Sequence, residues 1–132
     1  MKEIIKLKAN FKNAPKILYE GWLNSKVHSA FTGGQAKINP KIGFKYSAWD
    51  DYISGAIQEL EPNKRILQTW RTTEFKPDDE DSMLEIILED DSKGGTKLTL
   101  NHWNLPEGSK EGYTKGWKEF YFKPMKKYFS TN

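Results

Sequence analysis

The chain of 132 residues contains no cysteine and only two histidines, His28 and His102. The absence of cysteine excludes disulfides, thiol nucleophiles and cysteine-ligated metal sites. Two isolated histidines also fall short of the converging set of ligands that a metal site needs. We therefore expect neither a metal nor a cofactor in this protein.

Long apolar runs are absent as well. No stretch approaches the ~20 apolar residues of a membrane span, and the first residues lack the apolar core of a signal peptide. The sequence accordingly predicts a soluble cytoplasmic protein without membrane insertion. Its length and the lack of an internal linker predict a single domain over residues 1–132.

Neither sign of charge dominates, because 21 basic and 18 acidic residues leave a net charge of only +3. Aromatic residues do alternate with lysines, as they do on surfaces that stack nucleic-acid bases. In the C-terminal segment, however, the aromatic residues and the lysines fall on different sides of the predicted helix. We therefore expect core packing there and no nucleic-acid partner.

Catalysis has few candidate residues. His28 and Ser29 are neighbours in sequence, but a nucleophile and its base need hydrogen-bond geometry and an orienting acid, and no such acid is identifiable. His102 continues the alternation of Leu98 and Leu100, which points it towards the apolar face of a strand. We expect no catalytic residue and a binding protein rather than an enzyme, with an enzyme that uses His102 as an alternative.

Aromatic residues make up 14% of the chain, and many of them lie between residues 109 and 129. Steps of three and four residues in this segment predict one packed side of a long helix. That side consists of Tyr113, Trp117, Phe120, Tyr121, Pro124 and Tyr128. Ser109 is the expected N-cap of the helix, and Pro124 should remove the backbone bond to Phe120 and bend the last turns.

The remainder of the chain has the patterns of short helices and strands. Alternating residues over 5–11 predict a first strand, and Asn13, Pro15, Asn24 and Gly33 delimit two short helices. Further strands are expected near 36–39, 43–49, 52–60, 65–71, 83–89 and 96–103. This order predicts an α+β fold, in which a curved antiparallel sheet of about seven strands wraps around the long C-terminal helix.

Six segments resemble a known superfamily, in the same order along the chain. They are 22–25 (WLNS), 28–34 (HSAFTGG), 47–55 (SAWDDYISG), 59–62 (ELEP), 65–71 (RILQTWR) and 116–125 (GWKEFYFKPM). The first three resemble the START-like (SRPBCC) superfamily with the helix-grip fold, which includes lipid-transfer domains and the birch-pollen-allergen group. The last three are similar to its AHSA-like branch, related to the C-terminal domain of the activator of the heat-shock-protein-90 ATPase.

The resemblance implies a cavity between the sheet and the C-terminal helix, where members of the superfamily mostly bind apolar or amphipathic small molecules. A few polar groups in an aromatic pocket would orient such a ligand. The expected ligand-binding residues are Trp49, Gln68, Trp70, His102, Trp117 and Tyr121. The alternative for each of these side chains is ordinary core packing.

The branch also implies a second function, that of a chaperone-partner module of the heat-shock-protein-90 ATPase activator type. Its eukaryotic co-chaperones carry a separate N-terminal domain, for which we expect no room in 132 residues. The first expectation is therefore non-enzymatic binding of a small apolar or amphipathic ligand. A heat-shock ATPase is the alternative partner.

Overall fold

Alternating apolar and polar residues build six strands, which a computed structural model of the chain places against four helices. The structure describes residues 2–131. The strands are β1 (Glu3–Phe11), β2 (Lys45–Ala48), β3 (Ile53–Glu61), β4 (Arg65–Thr72), β5 (Ser82–Asp90) and β6 (Thr96–Leu105). The helices are α1 (Pro15–Trp22), α2 (Ser25–Thr32), α3 (Lys110–Trp117) and α4 (Lys123–Thr131), and a π segment, Lys118–Phe122, joins the last two.

The strands form one curved sheet in the order β1-β6-β5-β4-β3-β2, and each neighbouring pair is antiparallel. One face of this sheet is apolar, because every second residue of β5 and β6 is buried, Leu84 and Leu100 among them. The C-terminal helical segment covers that face and contributes Trp117, Tyr121 and Met125 to the core. The predicted α+β architecture is confirmed.

The expected count of about seven strands is one too high, because residues 36–39 form only an isolated bridge to β2. Serines of α2 take the backbone bonds that a further strand would use. The Ser25 hydroxyl bonds both the amide and the carbonyl of Ile38, each at 2.9 Å. Ser29 holds Ala36 in the same way, at 2.8 and 3.3 Å.

The two short helices follow their sequence signals in part. The Asn24 side chain caps α2 by accepting from the Val27 amide at 3.0 Å, and Gly33, with φ of 87°, ends it. The expected cap of α1 is wrong, because the Asn13 amide group donates instead to the Phe129 carbonyl oxygen at 3.1 Å. This bond ties the start of α1 to the end of α4.

The C-terminal helix is not a continuous α-helix. The Lys123 amide donates to the Lys118 carbonyl oxygen five residues earlier, directly before Pro124. Proline has no amide hydrogen, and its ring collides with the carbonyl group four residues earlier in an α-helix. The wider π turn accommodates Pro124, so the disturbance predicted at this residue takes the form of a π segment.

The π segment changes which residues face the sheet. A turn that closes over five residues shifts the packed side by one position along the sequence. Phe120 is 58% exposed, whereas Met125 and Phe129 are buried. The predicted packed side is therefore wrong at Phe120, and Met125 and Phe129 take the core positions expected for Pro124 and Tyr128.

The start of α3 is held by a residue from the other end of the chain. The Ser109 hydroxyl does not cap the helix as expected but donates to the Pro106 carbonyl oxygen at 2.5 Å. The Glu3 carboxylate of β1 accepts from the Lys110 amide at 2.8 Å, and this bond lowers the pKa of Glu3. A carboxylate at a helix N-terminus interacts favourably with the helix dipole.

Two glycines give opposite predictions for the same substitution. A Cβ added at Gly55 in β3 would lie 2.0 Å from the Thr69 carbonyl oxygen, whereas at Gly112 in α3 it would meet nothing within 4 Å. We expect Gly55→Ala to lower the free energy of unfolding by about 2 kcal/mol or more, because β4 must move. Gly112→Ala should raise it by roughly 0.5–1 kcal/mol, because glycine loses more backbone entropy than alanine in a helix.

Urea denaturation of the two variants checks these signs. Equal destabilisation by both substitutions would contradict the open space above α3.

Candidate binding groove

A groove of about 740 Å³ opens between α3 and the ends of β3 and β4. This volume lies within the range of roughly 300–1,000 Å³ that small-molecule sites occupy. Eight aromatic residues line it: Trp49, Tyr52, Trp70, Phe75, Tyr113, Trp117, Phe120 and Tyr121. We refer to this feature as the aromatic groove.

The floor of the aromatic groove consists of buried rings. Trp117 of α3 lies with its ring centroid 5.7 Å from that of Trp70 in β4 and 4.8 Å from that of Tyr121. Tyr113, one helical turn earlier, stands nearly perpendicular to Trp70 at 5.0 Å. Such offset and edge-to-face contacts stabilise aromatic pairs beyond their buried area, so the floor is fixed by its own packing.

The lip of the groove is formed by the half-buried Trp49, the exposed Phe120 and a part of α3 that carries glycines. The Phe120 ring meets Trp49 edge to face at a centroid distance of 6.0 Å. Gly112 and Gly116 lie one turn apart and both line the groove, and a Cβ at either would meet nothing within 4 Å. The missing side chains leave the helix backbone open towards the groove.

Polar groups of the groove bond to one another. The Tyr113 hydroxyl lies 2.6 Å from the Thr72 hydroxyl, and the Tyr52 hydroxyl donates to the Glu74 carboxylate. Burial raises the pKa of both tyrosines above the ordinary value, so their hydroxyls remain protonated at neutral pH. The groove therefore offers neutral hydroxyls beside its aromatic walls.

The charged residues of the groove are mostly acidic. They are Glu74, Asp79 and Glu107, with one lysine, Lys76. The whole chain carries +3. Acidic side chains therefore outnumber basic ones in the lining, although basic residues outnumber acidic ones in the whole chain.

Beneath the floor, His102 is fully buried and links the helix to the sheet. The Trp117 indole N–H donates to its Nδ1 at 3.1 Å, which leaves the proton of the neutral ring on Nε2. Nε2 donates to the Ser82 hydroxyl at 2.7 Å, and Ser82 donates to the Trp70 carbonyl oxygen at 2.9 Å. Burial lowers the pKa of His102 to about 3. The ring is thus a neutral structural link.

His28 joins α2 to the C-terminal helix in a similar way. Its Nδ1 donates to the Trp22 carbonyl oxygen at 2.8 Å, and its Nε2 accepts from the Tyr121 hydroxyl at 3.0 Å. The Trp22 indole N–H donates in turn to Gln68 at 3.0 Å. Burial lowers the pKa of His28 to about 4 and raises that of Tyr121.

The structure brings four of the six sequence-predicted site residues together and separates two from them. Trp49, Trp70, Trp117 and Tyr121 line the aromatic groove, whereas Gln68 and His102 lie behind it in the core. The sequence-based set omits four aromatic residues of the lining: Tyr52, Phe75, Tyr113 and Phe120. The spacing of the two α3 glycines was a usable signal, since glycines four apart leave one face of a helix open.

Over residues 2–130, every buried polar side-chain atom has a hydrogen-bond partner, and no three metal-ligating side chains come together in a possible metal site. None of the helices in this range has the length and apolar character needed to cross a membrane. The buried polar groups around the groove are therefore satisfied within the protein.

Comparison with known proteins gives a family match and curated relatives. The family model described as "Activator of Hsp90 ATPase homolog 1-like protein" matches residues 12–130. The human "Activator of 90 kDa heat shock protein ATPase homolog 1" is 31% identical over 126 residues, and the Dictyostelium discoideum homolog is 29% identical over 126. These alignments cover 95% and 96% of this chain but only 36% and 33% of the relatives. The chain thus spans about a third of their length.

Solved structures share the fold. The crystal structure of an HSP90 activator from Plasmodium falciparum matches with a TM-score of 0.89 at 19% identity, over 96% of both chains. A Mesorhizobium loti protein gives 0.83 at 17% identity over 98% of both chains, and Ara h 8.0201 gives 0.76 at 16% over 100% of both. At these identities the likeness shows the fold alone.

The two buried histidines predict a loss of stability in mild acid. In the unfolded chain both titrate near pH 6.5, whereas the folded rings stay neutral down to about 4 for His28 and about 3 for His102. Between pH 6.5 and the lower pKa of each folded ring, the unfolded state binds more protons than the folded state. The free energy of unfolding therefore falls as the pH falls. From pH 7 to pH 5 the free energy of unfolding should drop by about 4 kcal/mol for both rings together.

Urea denaturation across this pH range measures the drop. Replacing one histidine, as in His28→Gln, should halve the slope of stability against pH. A stability that does not change from pH 7 to pH 5 would contradict the neutral buried rings.

Proposed function

The chain belongs to the family of Activator of Hsp90 ATPase homolog 1-like proteins, and we propose that it binds a heat-shock ATPase of the Hsp90 type and changes its ATPase rate. The support is the family match over residues 12–130 together with curated relatives that are named as activators of this ATPase. Because the chain spans about a third of those relatives, their activity and partner come to it only within this proposal.

An apolar patch on the outer face of the sheet is the docking surface that we propose. It consists of Ile4, Met83 and Trp103, which we refer to as the outer-face patch. Met83 and Trp103 are paired residues of β5 and β6, and Ile4 lies beside them on the edge strand β1. Ile4 is 64% exposed and the other two are half-buried. Neighbouring apolar side chains on an exposed sheet face are typical of protein–protein contacts.

The charge next to the patch supports a partner with an acidic surface. Lys6 and Lys8 follow Ile4 on the same face of β1, and both are exposed. Lysines on an edge strand also prevent pairing with another sheet edge, so the face rather than the edge of the sheet is available for docking. Binding through this region should therefore weaken as salt is added.

Two equally exposed isoleucines allow a matched test of the docking surface. We expect Ile4→Asp to reduce affinity for the ATPase by about tenfold or more, since a charge would be buried at the centre of the contact. Ile42→Asp should have little effect, because Ile42 is 62% exposed on the loop before β2, outside the outer-face patch. Binding by calorimetry and the ATPase rate at saturating protein measure the two effects.

An unchanged ATPase rate together with no binding heat for the unmodified chain would end the partner proposal. Equal losses from Ile4→Asp and Ile42→Asp would instead move the docking surface away from the outer-face patch.

The aromatic groove supports a second candidate function, the binding of a small apolar or amphipathic molecule. The observation that carries it is a groove of about 740 Å³ with eight aromatic residues in its lining and open space above two glycines. Concave aromatic surfaces with a few placed polar groups are the usual form of small-molecule sites. The two functions use different faces of the sheet and do not exclude each other.

Gly116→Leu should close the groove, because its side chain would project into the open space above α3. We expect this variant to bind the neutral fluorescent probe Nile red at least about tenfold more weakly than the unmodified chain. Lys115→Leu is the matched control, since it adds the same side chain to an exposed position of α3 outside the groove. Probe uptake that is equal in all three proteins would contradict binding in the groove.

A further inference from the structure

We propose that the aromatic groove selects a small organic cation with an apolar or planar body over its neutral and anionic counterparts. This inference rests on the proposed ligand-binding function of the groove and names the class of ligand. It is carried by two independent features of the lining, its aromatic rings and its excess of carboxylates.

The rings of the groove present faces and edges at several angles around one space. Trp49 and Phe120 meet edge to face at the lip, and Tyr113 stands at 87° to Trp70 inside. A cation within about 6 Å of such ring centroids is attracted by their negative faces. Walls set at right angles allow one cation to contact more than one ring, as in the aromatic cages that recognise quaternary ammonium groups.

The chain already uses this interaction at the border of the groove. The guanidinium carbon of Arg71 lies 5.3 Å from the centroid of the Phe75 ring, which lines the groove. Arg71 is itself held outside the lining by an ion pair to Asp81 at 2.8 Å and by the Lys76 and Asp79 carbonyl oxygens. This guanidinium is therefore committed to its own contacts rather than available to bind an anionic ligand.

The charges of the lining favour a cation as well. The lining contains three carboxylate side chains, Glu74, Asp79 and Glu107, and one ammonium group, Lys76, so acidic side chains outnumber basic ones there. Clefts lined by one sign of charge raise the local concentration of oppositely charged molecules. The hydroxyls of Tyr52 and Tyr113 are already engaged with Glu74 and Thr72, which makes them poor hydrogen-bond partners for an anionic ligand.

A pair of probes with the same shape isolates the effect of charge. Phenyltrimethylammonium and tert-butylbenzene differ in a single central atom, nitrogen in the cation and carbon in the neutral molecule. Benzenesulfonate serves as the anion. Titrations are followed through the indole N–H signals of the five tryptophans by NMR. We expect the cation to bind about fivefold tighter or more than the neutral probe, and the preference to shrink as salt is added.

Glu74→Gln tests the role of the carboxylates, because glutamine keeps an acceptor for the Tyr52 hydroxyl but removes the charge. The variant should lose about fivefold in affinity for phenyltrimethylammonium and keep its affinity for tert-butylbenzene. Glu80→Gln is the matched control, since Glu80 is exposed in the same loop but does not line the groove.

The possible outcomes distinguish selectivity for cations from binding in the groove as such. If tert-butylbenzene or benzenesulfonate binds as tightly as the cation, selectivity for cations is overturned while binding in the groove stands. If Glu80→Gln weakens cation binding as much as Glu74→Gln, the effect belongs to the overall charge of the loop and the inference fails. If no probe moves the indole signals, binding in the groove fails together with the inference.

Discussion

The position of the C-terminal helix depends on the hydrogen bonds that run from the Trp117 indole through His102 and Ser82 to the Trp70 carbonyl oxygen. Each donor in this series has one acceptor, so the ring of His102 has a single proton arrangement. A fully satisfied polar network inside an apolar core specifies one geometry, because any shift leaves a buried donor or acceptor without a partner. The Trp117 ring at one end of the series and the Trp70 backbone at the other are therefore held at fixed places beneath the groove.

Pro124 has a comparable effect on the lip, although it lies outside the groove. The π turn before it shifts the packed side of the helix, so that Phe120 points outwards while Tyr121 stays inside. Phe120 then meets Trp49 at the lip, and the Tyr121 hydroxyl reaches His28. Because Pro124 has no amide hydrogen, the helix before it widens into a π turn. Phe120 then makes an exposed contact, whereas Tyr121 is buried and anchors the helix.

The sequence predicts the periodic parts of this protein well and the long-range contacts poorly. Strand alternation and the Asn24 cap depend on near neighbours, and both are found in the structure. The Glu3 cap of α3 and the Asn13 contact with Phe129 join residues more than a hundred positions apart, so no local pattern reveals them. Helical periodicity misplaces Phe120 because it assumes 3.6 residues in every turn.

Local sequence patterns are also insufficient to predict the lining of the groove and to choose between the two functions. Four aromatic residues expected in the site line the groove, but the tertiary fold decides that Gln68 and His102 bond to Trp22 and Trp117 behind it. The family match and the relatives favour the chaperone-partner function. From the sequence alone, small-ligand binding is the first expectation and the chaperone-partner function the alternative. Strand β6 separates the two proposed sites, since alternation points His102 to the core beneath the groove and Trp103 to the outer-face patch. Substitutions on the two faces of the sheet therefore test the two proposed functions separately, because the proposed sites share no residue.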